Sequence, residues 1–190
     1  MADTNKVTFG LENVYIGTYT ESGGTVTLGT PYHQAGAVNL EVSPEGDDYT
    51  FYADNVAYFS QYLDNGFSGS LEVAKFDDSF KTQFLGYQAG GQTNGGIAQI
   101  KGAVKPACYL VWEFRGDSKH RRVIAYNVTL GAIDREYATL EDSVEVATES
   151  IDITCTGDNA TGIVTWAFEE TDGGYSTVIT NPPVPADLGQ

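Results

Sequence analysis

Side chains that carry chemistry are scarce in this chain. Its 190 residues include 2 cysteines, 2 histidines and 1 methionine. Cys108 and Cys155 lie far apart in alternating stretches, so there is no Cys-x-x-Cys motif. They are expected to be buried free thiols acting as small hydrophobes, with pairing as the alternative. His33 follows Pro31-Tyr32 in a turn-like region, and His120 lies in Lys119-His-Arg-Arg122. A ring among three cations is a poor metal ligand and a poor base, and both histidines read as surface residues. No His-x-x-x-His pair, nucleophile elbow or phosphate loop is present. Gly90-Gly91-Gln-Thr-Asn-Gly95-Gly96 lacks the preceding strand and following helix of a dinucleotide fingerprint. Carboxylates are so abundant that pairs such as Asp47 with Glu72 arise by chance, and none is assigned to acid–base work. The doublets Asp47-Asp48, Asp77-Asp78 and Glu169-Glu170 lack calcium-loop spacing. The chain reads as a non-enzyme, with no catalytic residue, metal ligand or cofactor.

Positive charge is the second shortage. Lys and Arg number 10 against 26 Asp and Glu, a net charge of −16. After Arg135 there is no cation, whereas acids continue from Glu136 to Asp187. They are interspersed rather than blocked, so they do not make a disordered acidic tail. Such a balance excludes ordinary nucleic-acid binding, which needs clustered cations against phosphate, and disfavours anionic membrane surfaces. No apolar run approaches membrane-spanning length, and the start Met1-Ala-Asp-Thr-Asn-Lys6 has no charged-then-apolar signal pattern. The expectation is a protein made and assembled in cytosol, where the glycosylation-like Asn127-Val-Thr129 and Asn159-Ala-Thr161 mean nothing.

What is plentiful is β-forming. The chain has 12 Tyr, 9 Phe and 22 Gly against 6 Pro, and its length suits one domain with a sizeable core. Period-2 alternation predicts strands at Val7–Leu11 and Val14–Ile16, separated at Glu12-Asn13, then a Gly23-Gly24 turn into Thr25–Leu28. Ala37–Val42 reads as a strand with Val38, Leu40 and Val42 on one face, ended by a loop at Pro44–Asp48. Strands follow at about Thr50–Tyr62, broken near Asp54-Asn55, and at Gly69–Phe76. One helix begins at Asp77-Asp78-Ser79, with Asp78 as cap, Phe80, Phe84 and Leu85 on one face, and Gly86 as stop. Ala89–Gly96 reads as a loop. Ala107–Phe114 and Arg122–Leu130 form the clearest hairpin, turning near Gly116-Asp-Ser118. Val144–Thr156 and Ile163–Phe168 complete the strands. The Pro-rich Asn181–Gln190 reads as an unpaired arm. The expected fold is mainly β, a β-sandwich or partial barrel with one short flanking α-helix.

The most informative stretch runs from Pro44-Glu-Gly-Asp-Asp-Tyr-Thr-Phe-Tyr-Ala-Asp-Asn55 through Tyr58 to Gly66-Phe-Ser-Gly69. Phe51, Tyr52, Tyr58, Phe59, Tyr62 and Phe67 crowd beside Asp47, Asp48, Asp54 and Asp64. Such a half-greasy, half-charged segment either faces its own core or meets a partner. Lys119-His-Arg-Arg122 is the only basic cluster. It reads either as a solvated hairpin shoulder or as a patch meeting an acidic neighbour through Arg121 and Arg122.

Pro-Glu-Gly, then Phe-Tyr-Ala-Asp-Asn, then Asn65-Gly-Phe-Ser-Gly-Ser-Leu-Glu72 resembles the major tail protein (tail tube protein) of long, non-contractile-tailed bacteriophages of Gram-positive hosts. Asn5–Val14, Gly29–Tyr32 with Gly36–Leu40, Lys75–Phe80 leading to Gly86, Val111–Asp117 with His120–Val123, and Thr148–Thr154 are similar to that family in the same order. The similarity spans roughly Asn5–Thr156. It implies one tail-tube domain over residues 1–180, with arms at Met1–Asn5 and Asn181–Gln190. It further implies a virion structural protein that closes into rings, six subunits in its relatives, stacked as a tube for DNA ejection. The implied partners are other copies of itself, a tape measure protein, a tail terminator and distal tail or baseplate proteins. DNA would pass through the lumen without specific binding, repelled by part of the acidity, and no membrane is involved. The resemblance makes Asp47, Asp48, Tyr52, Asp54 and Asn55 the candidate ring or inter-ring contacts. Three rivals stand beside it: a carbohydrate-binding β-sandwich, a β-sandwich glycoside hydrolase, and a single-ring tail component such as a distal tail or tail-completion protein.

Overall fold

In a computed structural model describing residues 9–137 and 147–189, the chain is mainly β with one short helix. In chain order the elements are β1 (Leu11–Ser22), β2 (Thr25–Leu28), β3 (Tyr32–His33), β4 (Ala37–Ala53), β5 (Val56–Val73), α1 (Asp78–Phe84), β6 (Gln88–Ala89), β7 (Ile97–Ala98), β8 (Cys108–Phe114), β9 (Arg122–Arg135), β10 (Glu149–Cys155) and β11 (Thr165–Phe168). One antiparallel sheet runs β2-β1-β8-β9-β10-β5-β4, with β3 added to β1 and β11 to β9, while β6 and β7 form a separate small ribbon. The sheet curls until β1 approaches β4, a partly closed barrel.

Curling creates two cores, one on each face. The larger holds Val14, Ile16, Leu71, Leu110, Val128, Ile151 and Ile153, closed by Phe76, Phe80, Phe84 and Leu85 from the helix region. The smaller lies on the opposite face of β1, β8 and β9 and holds Tyr19, Tyr109, Val111, Ile124 and Tyr126 under Phe168 and Val178. β8 is therefore buried from Cys108 to Glu113 without alternation, as a strand covered on both sides must be. Bulges let β1 and β9 serve both cores. The three residues from Cys108 to Leu110 face the four from Ala125 to Val128, and Asn127 takes the extra position at φ 54. Its amide donates to Thr156 Oγ1 and to the Gly157 carbonyl, both at 3.0 Å.

Several local expectations change. Glu12-Asn13 does not separate two strands: Asn13, at φ 53, sits in a bulge inside the continuous β1. Asp77, not Asp78, caps the helix, accepting from the Phe80 N–H at 2.7 Å, because its extended backbone aims the carboxylate at the free amides. Gly86, at φ 68, follows the helix. The Ala89–Gly96 loop is the bend of the β6–β7 ribbon. The Asn181 segment is not an unpaired arm. Pro182 and Pro185 are buried, and Tyr126 Oη donates to the Pro183 carbonyl at 2.9 Å, because the smaller core needs a lid. Met1–Asn5, Val7 and residues 144–146 lie outside the described residues.

Candidate assembly surface

Pro44–Asp48 is not a loop: β4 continues straight through it. The two strands of the β4–β5 hairpin pair from Ala37↔Val73 to Ala53↔Val56. The tip is a two-residue turn with Asp54 at φ 50 and Asn55 at φ 67, the left-handed pair of a type I′ hairpin that Asp and Asn tolerate. β10 accompanies β5 only from Val73 to Phe67. Past that point no third strand joins it among the described residues, and the hairpin projects as a two-stranded arm. At about 3.3 Å per residue, Gly46–Asp54 reaches roughly 30 Å.

The root of the arm is built from glycines and amides. Gly66 lies at φ 107, and a Cβ there would stand 2.0 Å from the Cys155 carbonyl oxygen. A Cβ on Gly69 would stand 1.9 Å from the Glu41 carbonyl oxygen. Asn65 is the extra residue of a bulge opposite Glu45 and Gly46, and its amide donates to Asp47 Oδ2 at 3.1 Å. The Tyr62 ring lies over Gly46.

Register sorts the arm's side chains. Tyr49, Phe51, Phe59 and Leu63 share one face with Asp47 and Gln61, and the Tyr49 and Phe59 rings are 6.5 Å apart. Asp48, Thr50, Ser60 and Tyr62 share the other, where the Thr50 and Ser60 hydroxyls meet at 3.3 Å. One face is thus mostly apolar, as in a strand that packs on a core, but among the described residues no core stands behind it. Tyr49, Phe51, Tyr52, Val56, Tyr58, Phe59, Tyr62 and Leu63 are each 48–75% exposed. Among the described residues they make up most of the strongly exposed large apolar side chains on the β-sheet, a patch of the kind that marks an interaction surface. The reading in which these aromatics face their own core is overturned, except for Phe67, which is buried at the root. Among the described residues, β5 is also the only strand hydrogen-bonded to β4, which leaves the outer edge of the arm open.

The predicted contact residues therefore fall into two groups. Asp47, Asp48, Tyr52, Asp54 and Asn55 all lie on the arm. Arg121 and Arg122 lie at the β8–β9 turn and bind within the chain. Arg121 Nε is 2.7 Å from Asp117 Oδ2. Hydrogen bonding from Arg121 outweighs burial at Asp117 and pulls its carboxyl down to about 2. Arg122 Nε is 2.6 Å from Glu113 Oε2, Nη1 donates to the Tyr175 carbonyl at 2.8 Å, and the guanidinium lies 4.0 Å over the Tyr175 ring. Asn13 also donates to Glu113. Lys119 pairs with Glu169. The basic cluster thus pins the C-terminal lid to the β8–β9 hairpin. Sequence reading missed this because Tyr175 and Glu169 are distant along the chain from the cations they meet.

Asp47 and Glu72 do not meet: the first bonds Asn65 on the arm, and the second accepts from Thr148 on the body. Cys108 and Cys155 flank Val128 on the two neighbours of β9 and are free and buried. Burial pushes their thiols up to about 12 and about 11. His33 packs its ring 4.7 Å from that of Tyr15.

A scan of family models finds no match to this sequence, and a search of curated proteins finds none. Solved structures do match. A chain from the tube-terminating cap of the anti-feeding prophage superposes at TM-score 0.50 with 9% identity, covering 89% of this chain and 99% of that one. This is a likeness of fold. A chain of the six-fold symmetrised baseplate of the same particle gives 0.49 at 9% identity, over 90% and 99%.

Proposed function

We propose that this chain is a structural subunit of a phage-type tail that self-assembles into stacked rings, with six subunits per ring, forming the tube through which DNA leaves the virion. The observation that carries this reading is the arm. A roughly 30 Å ribbon with a mostly apolar face and no cover among the described residues needs a second surface to bury it. The open outer edge of β4 makes the same demand, because a barrel completed from several chains removes edges that one domain leaves free. The fold likeness to a chain of a tube-terminating cap supports the same reading. Tape measure, terminator and distal tail proteins are the further partners of such a tube. The acidity suits a lumen along which DNA slides without adhering. No catalytic role, cofactor or membrane contact is part of this proposal.

Negative-stain electron microscopy across protein concentration and salt tests it. Wild-type chain is expected to give rings or hollow tubes. A variant in which a tight turn replaces Asp47–Asp64 is expected to give none while unfolding at the same temperature. Monomers of wild type under every condition would sink the reading in favour of a binding module. Single rings that never stack would favour a terminating or distal component, the second reading that the cap likeness supports.

A further inference from the structure

The arm is acidic as well as apolar. Between Lys6 and Lys75 the sequence contains no Lys or Arg, while Glu41, Glu45, Asp47, Asp48, Asp54 and Asp64 line β4, its turn and β5. A surface that buries the arm must therefore offer apolar concavity and cations together.

Two hollows among the described residues join apolar walls to cations, and the one beside Lys75 and Arg135 also carries Glu136 and Glu149, which leaves the other as the net cationic one. Leu85, Tyr87, Ile100, Ala103 and Ile133 line a cavity of about 200 Å³ with Lys101 and Lys105 at its wall. That is below the roughly 300–1,000 Å³ of small-molecule sites and nearer the scale of a single large side chain. Ile100 is 40% exposed and the adjacent Val104 92% exposed, so the rim is apolar. Lys101 is exposed and has no ion-pair partner among the described residues. Lys105 Nζ donates to the Leu130 carbonyl at 3.1 Å and to the Gly131 carbonyl, leaving one of its three donors. Arg135 is engaged by Glu149, and Lys101 and Lys105 are the cations that line this cavity.

Register puts arm and cavity at opposite ends of the molecule. The arm leaves the sheet where Phe67, Cys155 and Val128 align across β5, β10 and β9. The cavity lies beyond the other end of that pairing, beside Ile133, which aligns with Ile151 and Leu71. An arm cannot fold back into its own cavity across the length of its own sheet, but it can reach that of another copy.

We propose that the arm of one copy seats its Phe51–Phe59 face in the cavity beneath Ile100 of a second copy, with arm carboxylates meeting Lys101 and Lys105. This rests on the tube reading and names the receiving surface of its inter-ring contact. The two surfaces differ, so the contact is heterologous and repeats head to tail rather than closing as a pair.

Carbodiimide, which joins carboxylates to amines in direct contact, tests it on an equal mixture of isotopically light and heavy full-length chain. Mixed-isotope peptides joining Lys101 or Lys105 to Asp47, Asp48, Asp54 or Asp64 are expected. Lys101→Glu, at an exposed unpaired position, is expected to raise the concentration needed for assembly about tenfold, and Asp48→Lys in the same chain to recover part of it. Inter-copy links that bypass both lysines, with Lys101→Glu assembling like wild type, would overturn the receiving surface and leave the tube reading standing. Monomers at every concentration, with no inter-copy links, would overturn both.

Discussion

Two long antiparallel hairpins in this protein have similar local chemistry and opposite surroundings. The β8–β9 hairpin alternates large apolar residues between two faces and buries both, one under each core. The arm of β4–β5 carries more aromatics, spread over both of its faces, and buries neither. The turn chemistry differs as well: Asp54-Asn55 closes a two-residue bend, whereas the β8–β9 turn is held by Asp117 and its ion pair with Arg121. Aromatic density therefore does not identify a core. A strand is core only when a second layer lies on it, and here that layer comes from the helix, the curl of the sheet and the C-terminal lid.

That contrast predicts very different responses to substitution. The largest effect belongs to the smaller core. Ile124→Ala removes a fully buried side chain between Tyr19, Tyr126 and the lid, and should cost about 2–5 kcal/mol in denaturant unfolding. Next is the pin between hairpin and lid. Arg122→Ala leaves the buried Glu113 carboxylate without its cation and frees the Tyr175 carbonyl, and should cost about 1–3 kcal/mol and expose the C-terminal segment to proteolysis. A loss confined to assembly, with unchanged stability, would show that Arg122 does not hold the lid.

The turn pair has a pH signature. Asp117 titrates at about 2 in the folded chain and near 3.9 in the unfolded one. A depressed carboxyl contributes stability that is complete above about pH 4 and is lost as pH falls from there to about 2. Asp117→Asn should flatten the acid limb of a stability–pH curve in that window. An unchanged limb would remove Asp117 from the account. The smallest effect on stability lies on the arm, where Phe51→Ala should leave unfolding within about 0.5 kcal/mol of wild type. A loss comparable to that of Ile124→Ala would mean that the arm is part of the core after all.

Much of the fold was legible because the backbone's needs are local. The Gly23-Gly24 turn, the helix between Asp77 and Gly86, and the β8–β9 hairpin follow from turn, cap and period-2 chemistry that neighbours along the chain supply. The bulges at Asn13 and Asn127 were not legible, since each answers a partner strand on which the side chain must change face. Pro44–Asp48 misled because proline, glycine and two acids are turn formers, yet at an edge strand the missing proline N–H faces no partner and costs nothing. The Pro-rich end misled in the other direction. Its prolines fit an apolar surface that exists only once Tyr126 and Phe168 are in place.

The candidate site divides in the same way. Composition alone located the acidic, aromatic stretch around Asp47–Asp64. It left open which way the aromatics point. The cavity beside Lys101 and Lys105 left no mark in the sequence at all, because its walls come from the helix end, a loop and β9.

The sequence by itself determined what short-range physics decides: strands by alternation, turns by residues that tolerate left-handed backbone, a helix by its cap and stop, and a strongly negative surface. Only the tertiary structure decided burial. Covering a strand takes a layer from elsewhere in the chain; β8 and β9 receive two, and the arm receives none.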